Sequence, residues 1–330
     1  MRALVTGGNG FIGRAIVEQL LARGDEVRVV GRSRYPELEA LGVACFQVDL
    51  AVGTPLADAL EGCDVVFHVA AKAGVWGTLR DFYQNNVTAT QHIARQAARA
   101  GVRRMVYTSS PSVVFGEESV EHADESRPYP RRYLAAYPYT KALAEQWLLR
   151  QPGLLTVAIR PPLVWGPRDA TLMPILVRRA RAGRLRRVGD GTNLVDVTYV
   201  ENAAAAHLAA ADRLRAGSPV VGRAYFIGQE QPVNLWAFIN RLLELVGAPQ
   251  VPDHPAIPYP LARAAAGLME DAYRLLGGGQ EPPLTRLLVA QMANSRYFDL
   301  SAARRDLGYA PLVSTEEGLA RTAAWLRAAA

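Results

Sequence analysis

Short apolar runs alternate along this chain with longer stretches of helical spacing. Met1–Thr6 is the first run, with the continuous apolar character of a strand buried on both faces. An amphipathic stretch from Arg14 to Arg23 follows and stops at Gly24. Further strands are predicted over Glu26–Val30, Val43–Val48, Asp64–Val69, Arg104–Thr108 and Leu155–Arg160. One long helix is predicted over Thr78–Ala100, and another carries Tyr137. Alternation of this kind builds an α/β fold around a doubly wound parallel sheet, where ligands collect at the carboxyl ends of the strands. Gly10, Arg32, Asp49, Ala70, Ser110 and Pro161 all fall at or just past those ends.

The turn after the first strand gives that placement a chemistry. Gly8, Gly10 and Gly13 meet the spacing G-x-G-x-x-G, and Gly7, Gly10 and Gly13 meet the related G-x-x-G-x-x-G. Glycines there permit a tight turn and close approach to a pyrophosphate, whose charge the helix N-terminus attracts. A strand before and a helix after supply the context such a fingerprint requires. Gly7, Gly10, Phe11, Ile12 and Gly13 are therefore expected to bind a dinucleotide. After the second strand the chain reads Gly31, Arg32, Ser33, Arg34, without the carboxylate that usually binds the ribose 2′-hydroxyl of NAD. Two guanidiniums and a hydroxyl suit a 2′-phosphate, which favours NADPH/NADP, with NAD the alternative if these are two more solvated arginines. Asp49 and Leu50 are expected near the adenine, and Ala70, Ala71 and Lys72 near the pyrophosphate and nicotinamide.

Of the 37 Lys and Arg residues only Lys72 and Lys141 are lysine. A lysine kept in that background is a candidate for a role that needs a compact cation. Lys141 lies one helical turn after Tyr137, on the same face. An ammonium near a phenol favours phenolate and lowers its pKa from about 10, which makes Tyr137 a candidate acid/base; a surface Tyr–Lys pair is the plainer reading. Lys72 would either bridge to the cofactor phosphates or capture a substrate carboxylate, unless it is simply solvated. Trp76 and Trp165 are candidate pocket walls, or else core.

Net charge (+6) and the arginine-rich run from Arg178 to Arg187 raise the question of nucleic acid. No recognised nucleic-acid module accompanies the run, and a solvated face that attracts anionic ligands is the expectation. Cys45 and Cys63 have no metal-ligand spacing and are read as free thiols of a cytoplasmic protein that needs no metal. The sequence enters its first strand and glycine turn at once, so no signal peptide is expected. Apolar stretches near Leu261–Leu276 and Leu284–Val289 fall short of the ~20 residues of a membrane span. They are suited to closing over a hydrophobic substrate, or to touching a membrane or a partner enzyme.

Thr6–Gly13, His68–Ala71, Asn86–Val87, Tyr107–Ser110, Tyr137-x-x-x-Lys141 and Arg160–Pro161 together resemble the extended short-chain dehydrogenase/reductase family, and within it the 3β-hydroxysteroid dehydrogenase-like branch. The resemblance implies a Rossmann domain over residues 1–167, with segments returning at about 194–228, and a smaller C-terminal α/β lobe over 168–330 that mainly binds substrate. It implies Tyr137 as general acid, Lys141 on the nicotinamide ribose and lowering the Tyr137 pKa, and Ser110 on the substrate oxygen, with Ser109 its rival. Asn86 would take a structural and proton-relay role. Pro161 and Val164 would border the cofactor, and Lys72, Trp76, Ser112 and Trp165 the substrate. The activity implied is NADPH-dependent reduction of a ketone on a small hydrophobic substrate, a long-chain 2-alkyl-3-oxoalkanoic acid of the kind met in olefin biosynthesis. Alternatives are a 3β-hydroxysteroid-type dehydrogenase, a nucleotide-sugar epimerase and a catalytically silent cofactor sensor. A homodimer through the Thr78–Ala100 and Tyr137–Arg150 helices is also implied.

Overall fold

Ala3, Leu4, Val5 and Thr6 are fully buried, which places β1 (Arg2–Thr6) at the heart of a parallel sheet. The computed structural model describes residues 1–276 and 280–328. β2 (Glu26–Gly31) and β3 (Ala44–Gln47) extend the sheet to one side of β1. β4 (Val65–His68) and β5 (Arg104–Thr108) extend it to the other, followed by Leu155–Arg160 and, at the far edge, Arg223–Phe226. All seven strands run parallel. The chain winds from β1 out to β3 and crosses back to β4, so the order reverses between β1 and β4. A ligand crevice belongs at that reversal.

Helices cover both faces, as the unbroken apolar strands require. On one face α1 (Phe11–Ala22) and the helix Val200–Arg213 bury Ile16, Leu20, Ala203 and Ala210. On the other, Ala89–Arg99 and Ala136–Leu148 bury Ile93, Ala97, Ala144 and Leu148. Each large apolar side chain so buried stabilises the fold by roughly 1.5–3 kcal/mol relative to exposure. Cys45 and Cys63 are free thiols. No helix among the described residues is long and apolar enough to cross a membrane.

The single helix expected over Thr78–Ala100 is instead three segments. Leu79–Tyr83 and Ala89–Arg99 are α-helical, and Gln84–Thr88 between them is a π turn. The extra residue in that turn lets Asn86 point inward, where its carboxamide bonds the backbone of Lys72 and the hydroxyl of Thr140. Periodicity cannot register this, because the apolar spacing on either side stays helical. π turns of this sort are frequent at functional sites.

A second, four-stranded sheet orders Val233–Asn234, Leu194–Val195, Arg296–Phe298 and Val120–Ala123. Three of its strands follow residue 168, while Val120–Ala123 comes from between β5 and the Tyr137 helix. The core beside it centres on Trp165, Trp236, Leu242 and Leu243. Trp165 is fully buried edge-on against Tyr199 and Phe238, so of the two readings the sequence left open, pocket wall or core, it is core.

Candidate active site

The glycine turn is built around one carbonyl. Gly7 adopts φ of +67° and its N–H bonds Val30 O (2.9 Å), while Gly10 N–H bonds Gly7 O (2.8 Å). A Cβ at Gly13 would stand 2.1 Å from that same Gly7 oxygen, so only glycine lets α1 start this close to the strand. α1 has no side-chain N-cap and no acid in its first turn. Its first N–H groups are therefore left to a ligand, and the helix dipole favours an anionic one. They face a cleft of about 580 Å³ lined by Gly7, Gly10, Phe11, Ile12 and Gly13 at one end. That volume is within the usual range of small-molecule and cofactor sites.

From the turn the cleft runs past Arg32, Asp49 and Leu50 on one side and Ala70 and Ala71 on the other. It continues to Ser110, Tyr137, Lys141, Pro161 and Val164. Ser33 and Arg34 border a second, smaller depression with Glu39, Cys45 and Gln47. The Asp49 carboxylate accepts from Ala51 N (2.9 Å) and starts a short helical turn. Tyr35, Asn85, Leu163 and Thr171 also line the main cleft, and sequence reasoning missed them. Tyr35 packs over Gly31, where a Cβ would meet its hydroxyl at 2.1 Å. An aromatic three residues after Arg32 was the available signal.

The end of the cleft that holds Ser110, Tyr137 and Lys141 is braced by two buried, neutral histidines. Thr90 donates to Asn86 O (2.6 Å), so it accepts from His68 Nε2–H (2.9 Å). His68 Nδ1 is then the acceptor for Thr6 (2.8 Å), whose oxygen also takes the N–H groups of Val69 and Ala70. Across the sheet, His207 Nδ1–H donates to Ala203 O (2.7 Å) and Nε2 accepts from Thr108 (2.8 Å). Burial, aided by the Lys141 cation, depresses His68 to about 3; burial likewise brings His207 to about 4. Both stay neutral across the physiological range.

Lys141 is 2% exposed, lies over the Tyr107 ring at 4.1 Å and donates to Thr108 O (2.7 Å). Burial pulls its ammonium down to about 7, against the opposing field of Glu145. Burial raises the Tyr137 phenol above its ordinary value, and a hydrogen bond with Ser110 works the other way. Lys141 itself is bound to the Thr108 carbonyl, and Ser110 is the group beside the phenol that eases its ionisation. Ser110 shares a 2.8 Å hydrogen bond with Ser112 and accepts from Ser112 N at 3.2 Å. The Ser109 hydroxyl, although it borders the cleft, has no partner among the described residues. The Tyr137 helix is fixed by Glu145, whose buried carboxylate receives Arg160 through two N–H groups at 2.6 and 3.0 Å.

Other expected residues lie apart from the chemistry. Asn86 is buried behind the cleft, which its neighbour Asn85 lines instead. Lys72 does not line the cleft: its ammonium is paired with Asp81 and sits 5.2 Å from the Phe82 centroid. The cation expected on phosphates or on a carboxylate is thus engaged by a carboxylate from the next helix. Ser112 is buried behind Ser110. Trp76 is half-buried under the Arg274 guanidinium, 5.5 Å from its ring.

A model of the 3-beta hydroxysteroid dehydrogenase/isomerase family matches residues 4–255. The chain is 45% identical over 326 residues to the 2-alkyl-3-oxoalkanoate reductase of Stenotrophomonas maltophilia (strain K279a), covering 97% of this chain and 98% of that one. It is 38% identical over 346 residues to 3beta-hydroxysteroid-dehydrogenase/decarboxylase isoform 1 of Arabidopsis thaliana, covering 97% and 78%. The solved structure of MoeE5 in complex with UDP-glucose and NAD matches with a TM-score of 0.75 at 26% identity, over 100% of this chain and 99% of that one.

Proposed function

The chain belongs to the 3-beta hydroxysteroid dehydrogenase/isomerase family, and from that membership we propose that it reduces the ketone of a hydrophobic β-oxo acid, a long-chain 2-alkyl-3-oxoalkanoate, with NADPH. The observation that carries this reading is the meeting of Tyr137, Ser110 and Lys141 at the far end of a cleft that begins on the glycine turn. The residues present fit the cofactor. The uncapped start of α1 would hold its pyrophosphate, Asp49 and Leu50 would border the adenine, and Arg32, Ser33 and Arg34 would take the 2′-phosphate. When bound, the reduced nicotinamide supplies hydride to the carbonyl carbon.

Everything else is supplied by the chain. Tyr137 is kept protonated by burial, the state required of a donor to the carbonyl oxygen. Ser110 hydrogen-bonds the same oxygen and stabilises the charge that develops there. Ser112 orients the Ser110 hydroxyl from behind. Lys141, anchored through Thr108 and His207, would hold the ribose of the cofactor with its ammonium.

The test is NADP⁺ reduction with a long-chain 2-alkyl-3-hydroxyalkanoic acid, because the β-oxo acid itself loses CO₂ readily. Rapid formation of reduced cofactor is expected. Turnover confined to neutral hydroxysteroids would replace this substrate by the one named for the Arabidopsis relative. Changing Arg32 and Arg34 together to Ala should raise KM for NADPH about 10- to 100-fold, as loss of charge-assisted hydrogen bonds does. KM for NADH should barely move, and equal effects on both cofactors would remove the 2′-phosphate assignment.

A further inference from the structure

A cation outside every motif lies buried in the small sheet. Arg296 is 6% exposed, and its Nε and Nη1 have no hydrogen-bond partner among the described residues. Its Nη2 makes only a long bond to Gly116 O (3.5 Å), and the guanidinium lies 4.2 Å from the Phe115 ring centroid. The acid whose field reaches it, Glu118, is bonded to Arg127 at 2.8 Å. Tyr259, the other titratable neighbour, donates to Glu117 (2.8 Å). Burying an unpaired guanidinium is strongly unfavourable, and packed apolar replacements are often more stable. Stability therefore does not account for an arginine here.

Its surroundings suggest what does. Phe115 and Gly116 directly follow the turn Pro111–Val114, whose N-cap is Ser110. Arg296 pairs with Val195 across the sheet, and Asn193 directly precedes that neighbouring strand, Leu194–Val195. Asn193 is 2% exposed, and neither its Oδ1 nor its Nδ2 has a partner among the described residues. Two residues on, Phe298 stacks on Phe226 at 4.1 Å, so this strand runs along the junction of the two sheets. An unpaired guanidinium thus lies against Phe115 and Gly116, just past the turn that Ser110 caps, with an unpaired carboxamide at the start of the neighbouring strand; both stand behind the residues that line the cleft.

We propose that Arg296, assisted by Asn193, receives the carboxylate of the substrate, whose two oxygens take the free Nε–H and Nη1–H groups while Asn193 Nδ2 donates a further bond. This rests on reading the substrate as a β-oxo acid. Lys72, the cation that the sequence offered for the role, is already paired with Asp81.

Wild type, Arg296→Gln and Arg296→Lys should be compared on a long-chain 2-alkyl-3-hydroxyalkanoic acid and on its methyl ester. With Arg296→Gln, kcat/KM should fall about 10- to 100-fold on the acid and less than about threefold on the ester, the size of a lost hydrogen bond to a charged group. Arg296→Lys should recover part of the loss. Arg296→Met should raise Tm, because it removes an unpaired buried charge. Equal losses on acid and ester, or a lower Tm for Arg296→Met, would assign the guanidinium to packing and overturn the site. Binding separates this inference from the substrate reading: dodecanoate should raise the Tm of wild type and leave Arg296→Gln unmoved. A protein inert toward the hydroxy acid but stabilised by dodecanoate through Arg296 loses its proposed substrate and keeps its anion site. Identical responses of the two proteins to dodecanoate would end the proposal.

Discussion

Tyr137→Phe should reduce kcat by about 10² to 10⁴, the span attributed to general acid–base catalysis, with NADPH affinity nearly unchanged. The phenol is the proton donor best placed in the cleft, and burial holds it protonated until a substrate oxygen arrives. Ser110 beside it works against the upward shift, and Ser110 is itself bonded to Ser112. Phenylalanine keeps the ring packed edge-on to Phe82, whose centroid is 6.4 Å away, so the helix should not move. Single-turnover hydride transfer and NADPH fluorescence titration on the same variant separate chemistry from binding. A variant that retains more than about a tenth of wild-type kcat would transfer the donor role elsewhere, with Ser110 first in line.

Lys141→Met should abolish turnover and at the same time make the protein more stable at pH 6. The folded chain releases the Lys141 proton near 7, while the unfolded chain holds it to about 10.5. Between those values the unfolded state binds more protons, so wild-type stability rises with pH, by up to about 1.4 kcal/mol per unit from this one group. Below 7 both states carry the charge, and the folded state bears its full burial penalty. Methionine fills similar space without that penalty. Urea unfolding at pH 6, 8 and 9.5 should show a steeper pH slope for wild type than for Lys141→Met. A methionine variant less stable than wild type at pH 6 would mean that the bond to Thr108 outweighs desolvation. Retention of such a cation in so buried a place is understandable as preparation for the negative charge of a bound cofactor and substrate.

Much of the site was legible because its residues are local to strand ends. The run Met1–Thr6 suits a buried strand, and the three glycines after it suit a tight turn. The helical spacing of Tyr137 and Lys141 alone sets both on one face. What escaped was decided by contacts far apart in the chain. Trp165 is core because Tyr199 and Phe238 close around it. Lys72 is paired because a separate helix brings Asp81 to it. The π turn was hidden since an inserted residue leaves the flanking periodicity intact. Arg296 carried no signal in an arginine-rich chain, for its distinction is to lack a partner once buried.

The small sheet's use of Val120–Ala123 has a consequence for synthesis. That strand leaves the ribosome early, yet its sheet neighbour Arg296–Phe298 is among the last segments made. The main sheet waits similarly, since Leu155–Arg160 stays an open edge until Arg223–Phe226 arrives. A nascent chain ending at residue 167 therefore exposes two unpaired strand edges at once, the condition under which partly made proteins stick to one another or to chaperones. Neither sheet can be completed before translation reaches the C-terminal third.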